Sequence, residues 1–282
     1  MEFEDAVMTA TPVMNLFGRY RERTTARLAA ESQRIASFID RRLSTLLGGW
    51  VIVTVIAGGI KLVILQAALP KLARVDAMAG LAMTYLVIAA APVVGYALTR
   101  GSFPSGITTR QPAVRLARIG RWTDLTPVEA RQQPNFGMSG LLVSLVAGLL
   151  LSIAMRMAEY WLAMPAVPQG APAWAVAMFR IMTFDLIFIS FLYAVCITMA
   201  LRAVPLFPRM LGYTWLCDLL MQLAIARHAM SFNGLPAEVS GPLQVFLAGN
   251  IKKVLISVVI WVPYLLISNR VNVTFRHRVR LE

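Results

Sequence analysis

Ile256-Ser-Val-Val-Ile-Trp261-Val-Pro263-Tyr264-Leu-Leu-Ile-Ser268-Asn-Arg270-Val271-Asn-Val-Thr274-Phe275 is an apolar run that ends in a basic tail carrying Arg276, Arg278 and Arg280. The first part has the solubility of a lipid tail and the second that of a phosphate-binding strip. Such a junction belongs where a bilayer meets the cytoplasm. Composition extends this to the whole chain. Apolar residues make up 58% and charged residues 15% of 282, where a soluble domain carries about 25% charged residues. A positive mean hydropathy at this length is hard to reconcile with one globular core. The net charge of +13 does not point to nucleic acid. The basic residues cluster in particular loops, without a helix-turn-helix pattern or an RNA-type aromatic motif. Anionic lipid headgroups are the expected partner.

Residues 1–45 form a basic N-terminal segment. Its acidic start, Glu2, Glu4 and Asp5, and its lack of an early apolar core speak against a cleaved signal peptide. Arg27, Arg34 and Arg41 then recur every seventh position beside Leu28, Ile35, Phe38 and Ile39. That spacing predicts an amphipathic helix with a basic edge, either lying on lipid headgroups or solvated and feeding the first span.

Six apolar segments follow, at about 46–68, 78–99, 137–163, 174–203, 206–227 and 243–268. Each is near the ~20 residues needed to cross a bilayer. The expected fold is therefore an all-α polytopic bundle of about six transmembrane helices. Ala203-Val204-Pro205 makes a tight hairpin between the fourth and fifth spans. Arginine alternates between connections: Arg100, Arg110, Arg115, Arg118, Arg121 and Arg131 in the 100–136 loop, Arg202 and Arg209 at the hairpin, and Arg270 onward in the tail. The other connections hold Lys71 and Arg74, nothing between Met164 and Pro172, and Arg227. Both termini are expected in the cytoplasm, with Trp161 and Trp174 at the outer interface. The 100–136 loop, with Pro104, Pro112, Pro127 and Pro134, reads as irregular or partly helical. It is a connector, or a surface for lipid or a cytoplasmic partner.

Trp261-x-Pro263-Tyr264, Ser268-x-Arg270-Val271 and Thr274-Phe275 resemble the C-terminal signature of a bacterial membrane family, the domain of unknown function numbered 2569. The resemblance extends back through Phe207-Pro208-Arg209 and Phe184-Asp185-Leu186-Ile187 to Phe136-Gly137, although Gly140 stands where the family has Trp. It implies a multi-pass inner-membrane protein with a four-helix core at 137–270, two additional spans at 46–99, and a tail at 271–282. It implies no chemistry. Met83-Thr84-Tyr85 with Phe103-Pro104 echoes Met182-Thr183-Phe184 with Phe207-Pro208, and Ala57-Gly58 echoes Ala147-Gly148. Such echoes would fit a partial duplication.

Chemistry must come from polar groups inside the spans. These are Lys61, Arg156, Glu159, Arg180, Asp185, Asp218, Lys252 and Lys253. A charge at the centre of an isolated helix costs ~3 kcal/mol or more, so each has to pair, neutralise or meet water. Asp185 and Asp218, on consecutive antiparallel helices, are placed to share a proton or to bracket Lys252 or Lys253. The outcome is a proton or ion relay, a polar substrate pocket, or salt bridges that fix packing. Arg270, Arg276 and Arg278 are expected on lipid phosphates, as are Arg27, Arg34 and Arg41. Gly140, Ser144, Gly148 and Ser152 form a small-residue stripe for close helix approach, expected within the bundle, with a homo-oligomer as the other reading. Cys196 and Cys217 lack ligand spacing and read as core residues, and the two histidines, His228 and His277, fall on opposite sides of the membrane. No catalytic motif, metal site or cofactor loop is found. The residues favour a non-enzymatic membrane subunit or scaffold. A small proton-coupled transporter is the alternative, and an intramembrane lipid-acting enzyme the third reading.

Overall fold

The computed structural model describes residues 2–68, 74–104, 111–114, 120–168, 170–232 and 236–281, the side chains of 2–26, 28, 29, 74–77 and 237 excepted. Lys71, Arg74, Arg110, Arg115 and Arg118, counted above for orientation, lie outside the described side chains. The elements are α1 (Glu2–Ala68), α2 (Arg74–Ser102), β1 (Trp122–Asp124), α3 (Pro127–Gln132), α4 (Leu141–Ala163), α5 (Ala173–Leu201), α6 (Phe207–Met230), α7 (Ala237–Ile267), α8 (Asn269–Arg276) and β2 (Arg278–Arg280). Among the described residues the protein is helical apart from one two-stranded ribbon and its loops.

Among the described residues, five helices are long and apolar enough to cross a membrane: 30–68, 78–102, 141–163, 173–201 and 238–267. α6 has the length, at 24 residues, but Arg209, Asp218, Gln222, Arg227 and His228 lower its apolarity. α5 is the central helix. Its apolar window is 67% buried, against 17% for α1 and for α7. α2, α4 and α6 pack on α5, α1 packs on α2 and α4, and α7 packs on α6. The first two spans are therefore part of the bundle and not an appendage. The outer helices leave Ile52, Val55, Ile56, Ile60, Val63 and Ile64 of α1 exposed, with Val245, Ile256, Val259 and Ile260 of α7. A protein surrounded by water rarely leaves such patches uncovered.

α1 runs through residues 16–45 without a break, so the basic segment and the first span are one helix. No Gly or Pro lies between Arg19 and Leu47 to interrupt it. Ala36, Ile39, Leu43 and Trp50 turn inward while Arg27, Arg34 and Arg41 stay exposed. Arg41 donates to the carbonyl of Ser37 at 3.1 Å.

The tight hairpin after α5 is present. The Val204 N–H donates to Met199 O at 2.9 Å and the Ala203 N–H to Ala200 O at 3.0 Å. This is the double hydrogen bond of a left-handed helix stop. Ala203 sits at φ 52 there, where glycine would be unstrained.

Close helix approach occurs at glycines outside the α4 stripe. A Cβ on Gly95 would fall 2.7 Å from Phe191 O, and one on Gly58 would fall 2.8 Å from the Tyr85 ring. On Gly148 it would meet nothing within 4 Å. Ser144 and Gly148 are exposed, and Gly140 is not helical but caps α4 at φ 61. The expectation that this stripe packs within the chain is therefore overturned. Gly58 and Gly148, paired in the sequence echo, also sit in unlike surroundings.

The described part of the 100–136 segment and the C-terminal tail meet at one end of the bundle. Trp122, Thr123 and Asp124 of β1 pair antiparallel with Arg280, Val279 and Arg278 of β2. Thr126 and Glu129 form a capping box that starts α3, the Thr126 N–H donating to Glu129 Oε2 at 2.8 Å. The Gly137 N–H donates to Thr274 Oγ1 at 3.0 Å, and Arg202 donates to Phe103 O at 2.5 Å. The Gly140 N–H donates to Ser32 Oγ at 2.8 Å. This end collects part of α1 around Ser32, the described parts of the 100–136 segment, the α5–α6 turn and the tail.

Candidate functional site

The charged residues of the spans assemble into one buried centre. Arg156 of α4 reaches between α5 and α6. Its Nη1 donates to Asp185 Oδ2 at 2.5 Å and its Nη2 to Asp218 Oδ1 at 2.6 Å. The side chains of Arg156, Asp185 and Asp218 are 15%, 9% and 1% exposed, so all three have left solvent. Tyr193 OH donates to Asp218 Oδ2 at 3.0 Å, and Gln222 Nε2 to Asp185 Oδ1 at 3.2 Å.

A polar chain leads outward from this centre. Asn250 Nδ2 of α7 donates to Gln222 Oε1 at 3.3 Å, and Lys253 Nζ donates to Asn250 Oδ1 at 3.3 Å. Lys253 also forms an ion pair with Glu159 of α4. The Lys253 side chain is 53% exposed and that of Glu159 25%, so this pair lies at the rim of the bundle. Between α4 and α7 a cavity of about 270 Å³ opens onto Arg156, Tyr193 and Asp218.

The aspartates thus do not bracket Lys252 or Lys253, as their depth suggested. They bracket Arg156. A guanidinium offers two parallel donors to two separate carboxylates, which an ammonium cannot do with the same geometry. One positive charge against two negative ones leaves the centre one negative charge in surplus if both carboxylates are ionised. Lys252 and Arg180 are exposed on α7 and α5 and take no part. Lys61 of α1 donates to Met164 O, with its ammonium 5.9 Å from the Trp161 ring, at the end opposite the tail. Tyr193, Gln222 and Asn250 were missed in the sequence because only charged groups were counted. The spacing Asp218–Gln222, one turn apart, and Asn250–Lys253 on α7 carried the signal.

The C-terminal signature residues have structural work. Trp261 and Tyr264 stack edge-on, their ring centroids 5.9 Å apart. Pro263 lies within α7. Ser268 ends α7 and begins α8, its carbonyl accepting from the Asn272 N–H at 3.0 Å. Val271, Thr274 and Phe275 are fully buried, with the Phe275 ring 4.9 Å from that of Phe207. Arg270 donates to Asn135 O at 3.4 Å. The tail is therefore not a strip laid on lipid. Arg276 Nη1 donates to Leu265 O at 2.8 Å and to Asn272 Oδ1 at 2.9 Å. Arg278 is buried, its Nε donating to Asn272 Oδ1 at 2.8 Å and its guanidinium 4.8 Å from the Trp122 ring. Both were expected on lipid phosphates from the outside; folding back of the tail turns them inward. Cys196 is buried against the Thr214 hydroxyl at 3.3 Å, as a core residue. Among the described residues no cluster of three metal-ligating side chains occurs.

These features define a multi-helix protein of membrane type with a charged centre among its helices. No protein-family model matches the chain, and neither a curated protein nor a solved structure does.

Proposed function

We propose that the chain is a six-span protein of the bacterial inner membrane with both termini cytoplasmic, acting as a non-enzymatic membrane subunit or scaffold. α6 supplies the sixth span. At ~1.5 Å per residue its 24 residues reach about 36 Å. It buries Asp218 and Gln222 and exposes Tyr213, Leu216, Leu220 and Leu223. The gathering of arginine-bearing connections at one end supports a cytoplasmic assignment for that end.

The observation that carries the scaffold reading is the closure of the Arg156 centre. Arg156 is bonded to both carboxylates, and each carboxylate has a further donor from Tyr193 or Gln222. Salt bridges of this kind hold α4, α5 and α6 in one register, as buried polar groups do in helix pairs. The exposed Ser144–Gly148 face of α4 is left for another helix, so a homo-oligomer belongs to the proposal. The 100–136 segment is left for a cytoplasmic partner.

A small proton-coupled transporter is the second reading. The surplus negative charge and the cavity that reaches Asp218 favour it, since a proton would neutralise the centre. Proton flux under an imposed pH gradient, in liposomes with and without the protein, separates the two. The scaffold predicts equal flux. A protein-dependent flux that disappears in Asp185→Asn would replace it with the transporter.

A further inference from the structure

Three guanidinium groups converge on a second cavity, of about 380 Å³, at the end of the bundle where the tail folds back. Arg209 comes from the first turn of α6, Arg276 from the end of α8, and Arg278 from β2. Asp124 of β1 is the one acidic group among the described lining residues, which together carry two positive charges in excess. Burial, and then the neighbouring charges of Arg278 and Arg209, push the Arg276 guanidinium down to about 10. Three guanidinium groups on one wall favour an anion in the cavity. The first turn of the 24-residue α6 adds a partial positive charge and has no side-chain cap. Away from the arginines the wall is apolar, made by Tyr213 and Leu216 of α6 and Leu266 of α7. Tyr213 and Leu216 are 58% and 53% exposed on the flank of the bundle, so the cavity is basic at one side and open to the surrounding medium along an apolar side.

We propose that this cavity binds a phosphoryl group, and that the group is the phosphate of an anionic lipid whose acyl chains lie along Tyr213, Leu216 and Leu266. The lipid source rests on the membrane reading above; the phosphoryl chemistry rests on the three arginines. A lipid phosphate stands at the level where α6 begins and α7 ends, and its chains run down the span. The bound lipid would tie α6, α7 and the β1–β2 ribbon together.

Gly212 makes the site testable without touching its charges. It lines the cavity, is helical, and a Cβ there meets nothing within 4 Å. Gly212→Leu therefore fills the cavity while improving helix propensity. The full chain in detergent is titrated with phosphatidylglycerol, phosphatidylcholine, inorganic phosphate and glycerol phosphate, reading bound mass and melting temperature. Phosphatidylglycerol is expected to bind and raise the melting temperature, and phosphatidylcholine to do neither. Arg209→Gln should weaken phosphatidylglycerol about fivefold, the share of one basic residue near an anionic surface, and Gly212→Leu should abolish binding with the melting temperature of the free protein kept. Equal binding of the two lipids, or undiminished binding in Gly212→Leu, would overturn the site. Inorganic phosphate or glycerol phosphate binding as tightly as the lipid would overturn the lipid source. Failure of the membrane reading shows separately, as chain recovered monodisperse without detergent.

Discussion

Replacing Arg156 with Met is the sharpest perturbation of the charged centre. Arg156 holds two carboxylates at 2.5 and 2.6 Å, and Asp218 is 1% exposed. At an effective dielectric of about 20, opposite charges ~4 Å apart attract by about 4 kcal/mol, most of which offsets their desolvation. Breaking such a pair by removing one partner costs about 3–5 kcal/mol in soluble proteins, because the remaining charge is stranded. Here one substitution strands two carboxylates, but the unfolded chain in a bilayer also finds partners, so the cost should stay near that range. For a chain of this size each kcal/mol moves the melting temperature by roughly 2 °C. Arg156→Met should therefore lower it in detergent by about 6–10 °C. Neutralising all three positions, as Arg156→Met with Asp185→Asn and Asp218→Asn, should recover most of the loss, since no charge remains unpaired. The assay is thermal unfolding of the single and triple variants side by side. An unchanged melting temperature in Arg156→Met would refute the lock. A triple variant as unstable as the single one would show that shape, not charge pairing, holds the three helices.

Ala203→Gly should raise stability by about 1 kcal/mol, because alanine is strained at φ 52 in the hairpin stop; an equal or lower melting temperature would argue against strain there. Gly95→Ala should cost about 1–3 kcal/mol through the clash with Phe191 O, while Gly148→Ala should be neutral or mildly stabilising; thermal scans of the two variants check the contrast. The Thr126 backbone N–H, and then its hydroxyl, hold the Glu129 carboxyl below its ordinary value of 4.5. A depressed carboxyl contributes above its unfolded value and stops contributing as pH falls through the lower folded one. Amide exchange over residues 126–132 should accordingly rise below about pH 4.5 relative to the trend for unprotected amides, and Glu129→Gln should remove that pH dependence. A reporter fused after Gly170 should behave as periplasmic and one after Pro112 as cytoplasmic; the reverse would overturn the proposed threading.

The five long apolar helices were legible because a helix fit to cross a bilayer advertises itself in one dimension. A run of about twenty apolar residues between polar connections needs no knowledge of its neighbours. The alternation of arginine between connections is equally local. The partner of the aspartates was not legible, because pairing depends on how helices are rotated and offset against one another. Counted at ~1.5 Å per residue, Arg156 lies about 10 Å from the end of α4 at Ala163. Asp185 lies about 18 Å from the α5 end at Ala173, and Asp218 about 18 Å from the α6 end at Met230. Depth alone thus separates the arginine from the carboxylates and points to the lysines of α7. Helix offset and a long side chain that lays its apolar stem along the bundle close the gap, and neither is written in the sequence. The tail misled for a related reason. Arg276 and Arg278 look like a lipid-facing strip until Trp122, Thr123 and Asp124, far away in the chain, supply an edge for β2 to pair with. Three-residue strands carry no pattern to announce that pairing. The consequence is that charge in this chain is held by protein groups at two levels. Among the helices one arginine answers two aspartates. At the end where the tail folds back three arginines face one aspartate. The signs are opposite, so a proton would neutralise the first site, and a lipid phosphate would offset one of the two surplus positive charges at the second.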